Sequence, residues 1–307
     1  MKNIIFLLIF ILITQALAAQ EEKSFTSSSE LLLQISSLPE AKLGFTQRFN
    51  FPFLQSDNPL TQDNGIETAL TGEITPISAN GIAEAVWTPI AFFQLAAGGR
   101  IGSGWNIELF GGEIYGIGLT KSADDGNSET DGSAFDGLLW KAQIGGALQF
   151  DLAAIFPGDW NHVVARSYHE INYKGYTRAK AYESWYFEND DGENINGFNY
   201  YGNFLIGYQM PIFLNLVGLL AEMDLYLYDT PGRSGWGDEL IRWTFSCILS
   251  FEITEQFGIA LLAQFRTRKN YVEANWEDLY YRNRTIDNSN PLRLEFYRVA
   301  AALVYKF

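Results

Sequence analysis

The chain has 307 residues, a formal net charge of −15 at pH 7 and one cysteine. This acidity argues against nucleic acid as a partner, because phosphate binding requires clustered Lys and Arg. Cys247 has no second cysteine to pair with, so no intramolecular disulfide stabilises the fold. The fold must therefore be stabilised by packing and hydrogen bonds.

Residues 1–18 have the features of a secretory signal peptide. Lys2 supplies the positive charge, an apolar run follows from Ile4 to Ile13, and Ala16-Leu17-Ala18 fits the cleavage rule. The run is shorter than the ~20 residues that a membrane-spanning helix needs. We expect cleavage after Ala18, export to the periplasm and a mature charge of −15 − 1 = −16, because the segment contains one Lys and no acid.

The rest of the chain is predicted to be a short polar segment, residues 19–29, followed by one domain, residues 30–307. No linker, shift in composition or fixed-period repeat divides the domain. No apolar run reaches 18 residues after the signal, so helical membrane spans are not expected.

Alternation of apolar and polar residues dominates the domain, as in the segments 198–210, 241–253 and 257–265. The alternating stretches run for about 12 to 17 residues, whereas strands of soluble proteins average about 5 to 6. Their apolar faces end in Phe, Trp and Tyr, as in the lipid-facing band of a membrane barrel. Short links, such as 254–256, alternate with longer polar ones, such as 274–290, which is typical of periplasmic turns and external loops.

The predicted fold is therefore all-β, a transmembrane antiparallel up-and-down β-barrel of about twelve strands, within a range of ten to fourteen. Both chain termini should face the periplasm. The predicted strands are 30–38, 41–53, 67–77, 82–98, 104–119, 136–155, 162–187, 197–210, 212–228, 238–253, 257–273 and 291–307.

The last strand, LEFYRVAAALVYKF, ends the chain on an aromatic residue. Its predicted outward face consists of Tyr297, Val299, Ala301, Leu303, Tyr305 and Phe307. This pattern resembles the C-terminal signature of outer-membrane β-barrel proteins. The resemblance implies location in the outer membrane, the lipid bilayer as a partner and recognition of this strand by the barrel assembly machinery. It indicates neither the function nor the oligomeric state.

Charged residues on the inward register predict the function. The lumen-lining residues expected from the alternation are Arg166, Lys174, Arg178, Lys180, Glu222, Asp224, Arg242, Arg266, Arg268 and Arg298. Because bases outnumber acids, they predict a water-filled, porin-like pore for passive transport of small polar solutes, with a preference for anionic ones. Arg242, Arg266 and Arg298 are expected near one level, as a constriction. The alternative is a closed barrel with a structural or loop-binding, adhesin-like role.

A second alternative is a lipid hydrolase, because Ser167 and His169 share the outward face of one predicted strand. The pair loosely resembles the outer-membrane phospholipase A family, in which a His and a Ser two residues apart lie on the lipid face. Here their order is reversed and no orienting residue can be assigned, so no catalytic residue is predicted. No metal site and no cofactor are predicted either. The acidic stretches 122–132 and 188–197 are interpreted as solvated external loops.

Overall fold

The computed structural model describes residues 25–38, 40–109, 111–188, 190, 192–227 and 237–307. Twelve long strands form one closed antiparallel barrel. Its strands are β1 (Thr26–Ser36), β2 (Ala41–Pro52), β3 (Gly65–Ile74), β4 (Ser78–Ile90), β5 (Phe93–Gly104), β6 (Leu139–Asp151), β7 (Val163–Tyr176), β8 (Gly197–Gln209), β9 (Leu214–Tyr226), β10 (Arg242–Glu252), β11 (Phe257–Lys269) and β12 (Leu292–Lys306).

Short elements occur between the barrel strands. The strands Ile107–Leu109, Gly112–Ile114, Ile117–Ser122 and Ser128–Asp131 follow β5, and Trp185–Phe187 follows β7. Two 3-10 turns, Leu152–Ala154 and Tyr281–Asn283, comprise three residues each. No helix within the described residues is long and apolar enough to cross a membrane.

Each barrel strand pairs with its neighbour in sequence, and β1 closes the barrel against β12. The closing pair is antiparallel, with Glu30 opposite Lys306 and Ser36 opposite Ala300. Closure matters because lipid offers no hydrogen-bond partner to an unpaired strand edge. The start of β1 and the end of β12 lie at one end of the barrel, which we call the periplasmic end. The opposite end is called the outer end.

The two faces of the wall differ as the alternation predicts. Outward side chains are apolar and exposed, for example Ile144 at 67%, Ile206 at 55% and Leu219 at 58%. Inward positions include buried polar groups such as Glu170 and Asn199. Strands of 10 to 15 residues are long enough for a tilted membrane crossing, which needs about 9 to 11. The predicted fold class and strand number are confirmed.

Two predicted strands were wrong even though the count was right. The predicted strand 82–98 contains the tight turn between β4 and β5, at residues 91–92, and the predicted strand 104–119 lies beyond β5 in an outer loop. The turn lies inside the apolar run WTPIAFFQL, so no polar break marks it. The first strand also begins at Thr26, inside the segment predicted to be a polar N-terminal extension.

A bulge corrects the predicted faces of the last strand. Gln264 pairs with Arg298 but Phe265 pairs with Phe296, so Tyr297 is an extra residue in β12. An extra residue shifts the alternation by one. Phe296, predicted to point inward, is therefore outward and 56% exposed, and Tyr297, predicted to point outward, instead contacts the guanidinium groups of Arg266 and Arg298.

The outer end is asymmetric. The turns after β1 and β3 are short, at residues 37–40 and 75–77, whereas the connections after β5, β7, β9 and β11 are long. We call residues 105–138 loop A, residues 177–196 loop B and residues 270–291 loop C. Among the described residues, loops A, B and C extend beyond the strands, whereas the short turns of β1–β4 form a low rim.

Candidate functional site: the mouth and the lumen

Loop B folds against loop A at the outer end of the barrel. Trp185 pairs with Leu119 and Phe187 with Ile117 in a short antiparallel sheet. The indole of Trp185 is fully buried and packs on Tyr176, the last residue of β7, with ring centroids 5.9 Å apart. Burying a Trp, two other aromatic rings and two aliphatic side chains favours this position of loop B over a solvated one.

Glu193 anchors loop B to the opposite side. Its carboxylate pairs with the ammonium group of Lys269 at 2.9 Å and the guanidinium of Arg284 at 3.1 Å, and it accepts a hydrogen bond from the Tyr271 hydroxyl at 2.7 Å. The side chains of Lys269 and Arg284 are 5% exposed and that of Glu193 is 11% exposed. Glu193 thus ties loop B to loop C and to the end of β11.

The contacts of Glu193 also set its protonation. Burial alone would raise its pKa, but the charge of Lys269, the hydrogen bonds from Tyr271 and Lys269, and the charge of Arg284 outweigh burial and lower the pKa below its usual 4.5. Glu193 was predicted to lie in a solvated acidic loop. That interpretation was wrong for this residue, because loop B turns inward and its partners lie more than seventy residues away in sequence.

Glu188 attaches loop B to the low rim. It accepts a hydrogen bond from the Ser78 hydroxyl at 2.7 Å and lies 4.0 Å from Arg100. Arg100 also pairs with Glu73 at 3.3 Å, and Glu73 pairs with Lys42 at 3.3 Å. Charges of alternating sign therefore run along the inner wall of β2, β3 and β5 to loop B.

A cavity of about 350 Å³ opens between the low rim and loop B. Arg298 lies in its wall, where it pairs with Glu40 and donates from Nε to Gln264 Oε1 at 2.6 Å. The ring of Tyr297 covers the guanidinium at 4.9 Å. The cavity is lined by residues of β1, β2, β12, both short turns and loops A and B, including Gln34, Glu40, Lys42, Ile77, Phe187 and Arg298.

The predicted arginine constriction is divided in two. Arg242, Arg266 and Arg268 line a separate cavity of about 170 Å³, together with Glu193 and Trp276 from the outer loops. Arg298 does not line that cavity. The register staggers the arginines, since Arg298 lies opposite Gln264 and Arg266 lies opposite Thr244. A single ring formed by Arg242, Arg266 and Arg298 was therefore not the correct arrangement.

Carboxylates accompany these arginines. Arg266 pairs with Glu295 on β12 at 3.0 Å, and Arg268 lies 3.5 Å from Glu277 and 3.8 Å from Glu295. Asp224 lies directly opposite Arg242 in the sheet. The sequence interpretation counted only a few inward acids, because the bulge shifts the register of Glu295, and Glu277 approaches from an outer loop.

Other predicted lining residues lie at different heights, with Arg166 near the periplasmic end of β7 and Lys174 near its outer end. Arg166 lies over the ring of Tyr168 at 5.1 Å, and Lys174 donates to Asn194 of loop B at 2.6 Å. Glu222 accepts a hydrogen bond from the Tyr201 hydroxyl at 2.6 Å. The lumen is thus lined by a network of paired polar side chains.

Arg178 and Lys180 are not lumen residues. β7 ends at Tyr176, so both lie in loop B beyond the strand, where Arg178 pairs with Asp136 of loop A. Lys180 is exposed, and its backbone amide donates to Glu183 at 2.8 Å. The alternation of residues 166–180 gave no sign of the strand end, because Thr177-Arg178 continues the polar pattern into a turn.

On the lipid-facing side of the wall, Ser167 and His169 lie close together, as the sequence suggested. Ser167 Oγ lies 2.9 Å from His169 Nε2, and His169 Nδ1 contacts the Tyr200 hydroxyl of β8. The cluster lies near the middle of β7, with Tyr173 closer to the outer end. Ester groups of lipids lie at the membrane surface, so this depth does not favour the hydrolase alternative.

The closed twelve-stranded barrel, the apolar outer face and the polar lumen together decide the class. The chain forms a closed antiparallel β-barrel of the membrane-spanning type. No protein-family model matches it, and no curated protein matches it either.

Remote similarity to solved barrels extends over most of the chain. The β domain of the Bordetella autotransporter BrkA aligns with a TM-score of 0.40, 10% identity and coverage of 92% of this chain and 99% of that one. The KdgM porin in complex with disordered oligogalacturonate aligns with a TM-score of 0.33 and 11% identity, over 91% of this chain and 99% of that one. CdiB from Acinetobacter baumannii aligns with a TM-score of 0.35 and 8% identity, over 92% of this chain and 60% of that one. Values this low carry no information about function.

Proposed function

We propose that the barrel is a passive pore for small polar solutes, with its path along the wall of β1–β4 and β12. The observation that carries this proposal is the cavity of about 350 Å³ between the low rim and loop B. Charged side chains of both signs line it, as expected of a hydrated path rather than of a packed core. Loop B, with Ile107 and Ile114 of loop A, forms the other wall of the cavity.

The proposed path admits polar solutes and discriminates only weakly between anions and cations. The inward arginines predicted a preference for anions, but carboxylates in the lumen pair with them. The ion pairs are Arg298 with Glu40, Arg100 with Glu73, and Arg266 with Glu295. Loop A is also acidic, with seven Asp or Glu and one Lys. We propose a weak selectivity, in which Arg298 supplies the attraction for anionic groups inside the path.

Reversal potentials of the refolded protein in planar bilayers test this assignment. Arg298→Glu should shift the selectivity toward cations, because it places a second carboxylate beside Glu40. Arg293→Glu is the matched control, since Arg293 is on the same strand but lies at the outer end, 44% exposed beside Glu295. Equal shifts from both variants would mean that only the surface charge of the mouth acts, and that Arg298 does not line the path.

The proposal includes delivery to the outer membrane. Cleavage after Ala18 would release the mature chain, and the outward side chains near its end would be presented to the assembly machinery. Among these, Phe307 is 66% exposed and its ring contacts that of Tyr305 at 4.9 Å. The Phe307 amide donates to Ser29 at 2.9 Å, so the last residue also joins the closing pair of strands.

A closed barrel is the second candidate function, because loop B is firmly packed in the mouth. Trp185 and Tyr176 are fully buried, and Glu193 connects loop B to loop C. Such a barrel would present its loops to a partner outside the cell, and it would not conduct. Absence of conductance from the wild-type protein and from a variant with a loosened loop B would favour it over the pore.

A further inference from the structure

The lipid-facing side of the wall carries one conspicuous polar cluster. His169 is the one His, Lys, Arg, Asp or Glu among the outward side chains in the central part of the described strands, where the other outward residues are mostly aliphatic or aromatic. Charged or ionisable groups facing hydrocarbon are costly and therefore indicate a site. Ser167 and Tyr200 share the outward face with His169 and complete the cluster.

The cluster lies deep in the apolar band. Toward the outer end, the rings of Tyr173 and Trp140 stack 4.9 Å apart. Toward the periplasmic end, the Tyr208 hydroxyl donates to the carbonyl of Trp160 at 3.0 Å. Aromatic residues at these two levels mark the membrane surfaces of a barrel. His169 lies between them, where neither water nor a lipid ester can serve as a hydrogen-bond partner.

The hydrogen-bonding capacity of the cluster is not used up within the chain. Neutral His169 has one N–H, and Ser167 and Tyr200 each have one O–H, which gives three donors for two contacts. If His169 Nε2 carries the proton, it donates to Ser167, and the Ser167 hydroxyl has no acceptor of its own. If Nδ1 carries the proton, it donates to Tyr200, and the Tyr200 hydroxyl has no acceptor of its own. Within the described residues neither hydroxyl has a further acceptor. One donor therefore faces the hydrocarbon.

The two residues opposite His169 on its neighbouring strands are glycines, Gly146 of β6 and Gly202 of β8. Both are on the outward register, so neither contributes a side chain, and the imidazole packs instead beside the rings of Phe204 and Tyr200, at centroid distances of 5.5 and 6.0 Å. Small residues at such positions allow two membrane proteins to approach closely enough for hydrogen bonds to form between them.

We propose that the β6–β8 face binds a second copy of this chain, with Ser167, His169 and Tyr200 at the centre of a two-fold interface. A two-fold axis brings the same cluster of each copy face to face. The unused hydroxyl of one copy then meets hydroxyl oxygens of the other, which have free lone pairs. The cluster is thus complementary to itself, whereas acyl chains offer it no acceptor.

Single-molecule photobleaching in bilayers at several protein-to-lipid ratios tests the proposal. The wild-type protein should form dimers as the ratio rises, and the double variant Ser167→Ala with Tyr200→Phe should weaken dimerisation about tenfold, because it removes both possible spare donors and with them the pair of intramembrane hydrogen bonds between the copies. Tyr208→Phe is the matched control, because it removes a lipid-facing hydroxyl outside the cluster, and it should dimerise like the wild type.

A purely intramolecular role predicts a different result. In that case the double variant should dimerise as well as the wild type. It places only apolar groups against lipid in place of the two hydroxyls, so its monomer should keep its heat-modifiable mobility on gels. A wild type that remains monomeric at every ratio, or a double variant that dimerises as well as the wild type, would overturn the proposal. Neither readout depends on conductance.

Discussion

Replacing Glu193 by Gln should release loop B from the mouth. Gln keeps the shape of Glu193 but removes its charge, which leaves the buried cations Lys269 and Arg284 without their shared counter-charge. Breaking a buried ion pair typically costs about 3 to 5 kcal/mol. Even about 3 kcal/mol changes the ratio of released to docked loop by roughly a hundredfold.

The barrel itself should remain folded, because Glu193 makes no contact with its lower half and the strand ladder is unchanged. In planar bilayers, Glu193→Gln should therefore give a larger mean conductance and more frequent opening transitions than the wild type. Glu183→Gln is the matched control, since Glu183 belongs to the same loop but accepts a hydrogen bond only from the exposed backbone amide of Lys180 among the described residues. Identical single-channel records for wild type and Glu193→Gln would refute the idea that loop B limits the path.

Three further predictions concern the loops and the chain end. Because the pKa of Glu193 is lowered in the folded protein, its contribution to stability is complete above pH 4.5 and is lost as the pH falls through that lowered pKa; loop B should therefore be released, and conductance should rise, below about pH 4.5. Trp185→Ala should cost about 3 to 5 kcal/mol locally and speed tryptic cleavage after Lys180, whereas Trp160→Ala, at a residue 53% exposed in the turn after β6, should leave cleavage unchanged. Deleting Phe307 should lower the yield of heat-modifiable barrel more than deleting one residue of loop A, and equal yields would remove the assigned role of the chain end.

Local alternation was sufficient to predict most of the wall, because side chains on a strand alternate between lipid and lumen whatever the strand pairs with. It failed where the local pattern conflicts with the pairing. The turn at residues 91–92 is apolar on both sides, and the bulge at Tyr297 is stabilised by packing against Arg266 and Arg298, which belong to the assembled barrel.

The candidate site was harder to predict than the wall. Inward arginines could be read from the strands, but their carboxylate partners come partly from turns and loops, such as Glu40 and Glu277. In the sequence, nothing distinguishes Glu193 from the other acids of its segment. Its partners Tyr271 and Arg284 lie in loop C, so its role appears only in the folded structure. The low rim likewise depends on which loops are long at the same end, and this follows from the strand boundaries that alternation places least accurately.

Single-channel recording of the purified, refolded wild-type protein in a planar bilayer tests the central claim most directly. The account predicts discrete conductance steps, weak ion selectivity and a shift toward cations with Arg298→Glu. A wild-type protein that inserts as a heat-modifiable barrel yet never conducts, and a Glu193→Gln variant that is equally silent, would contradict the pore and leave the closed barrel as the function.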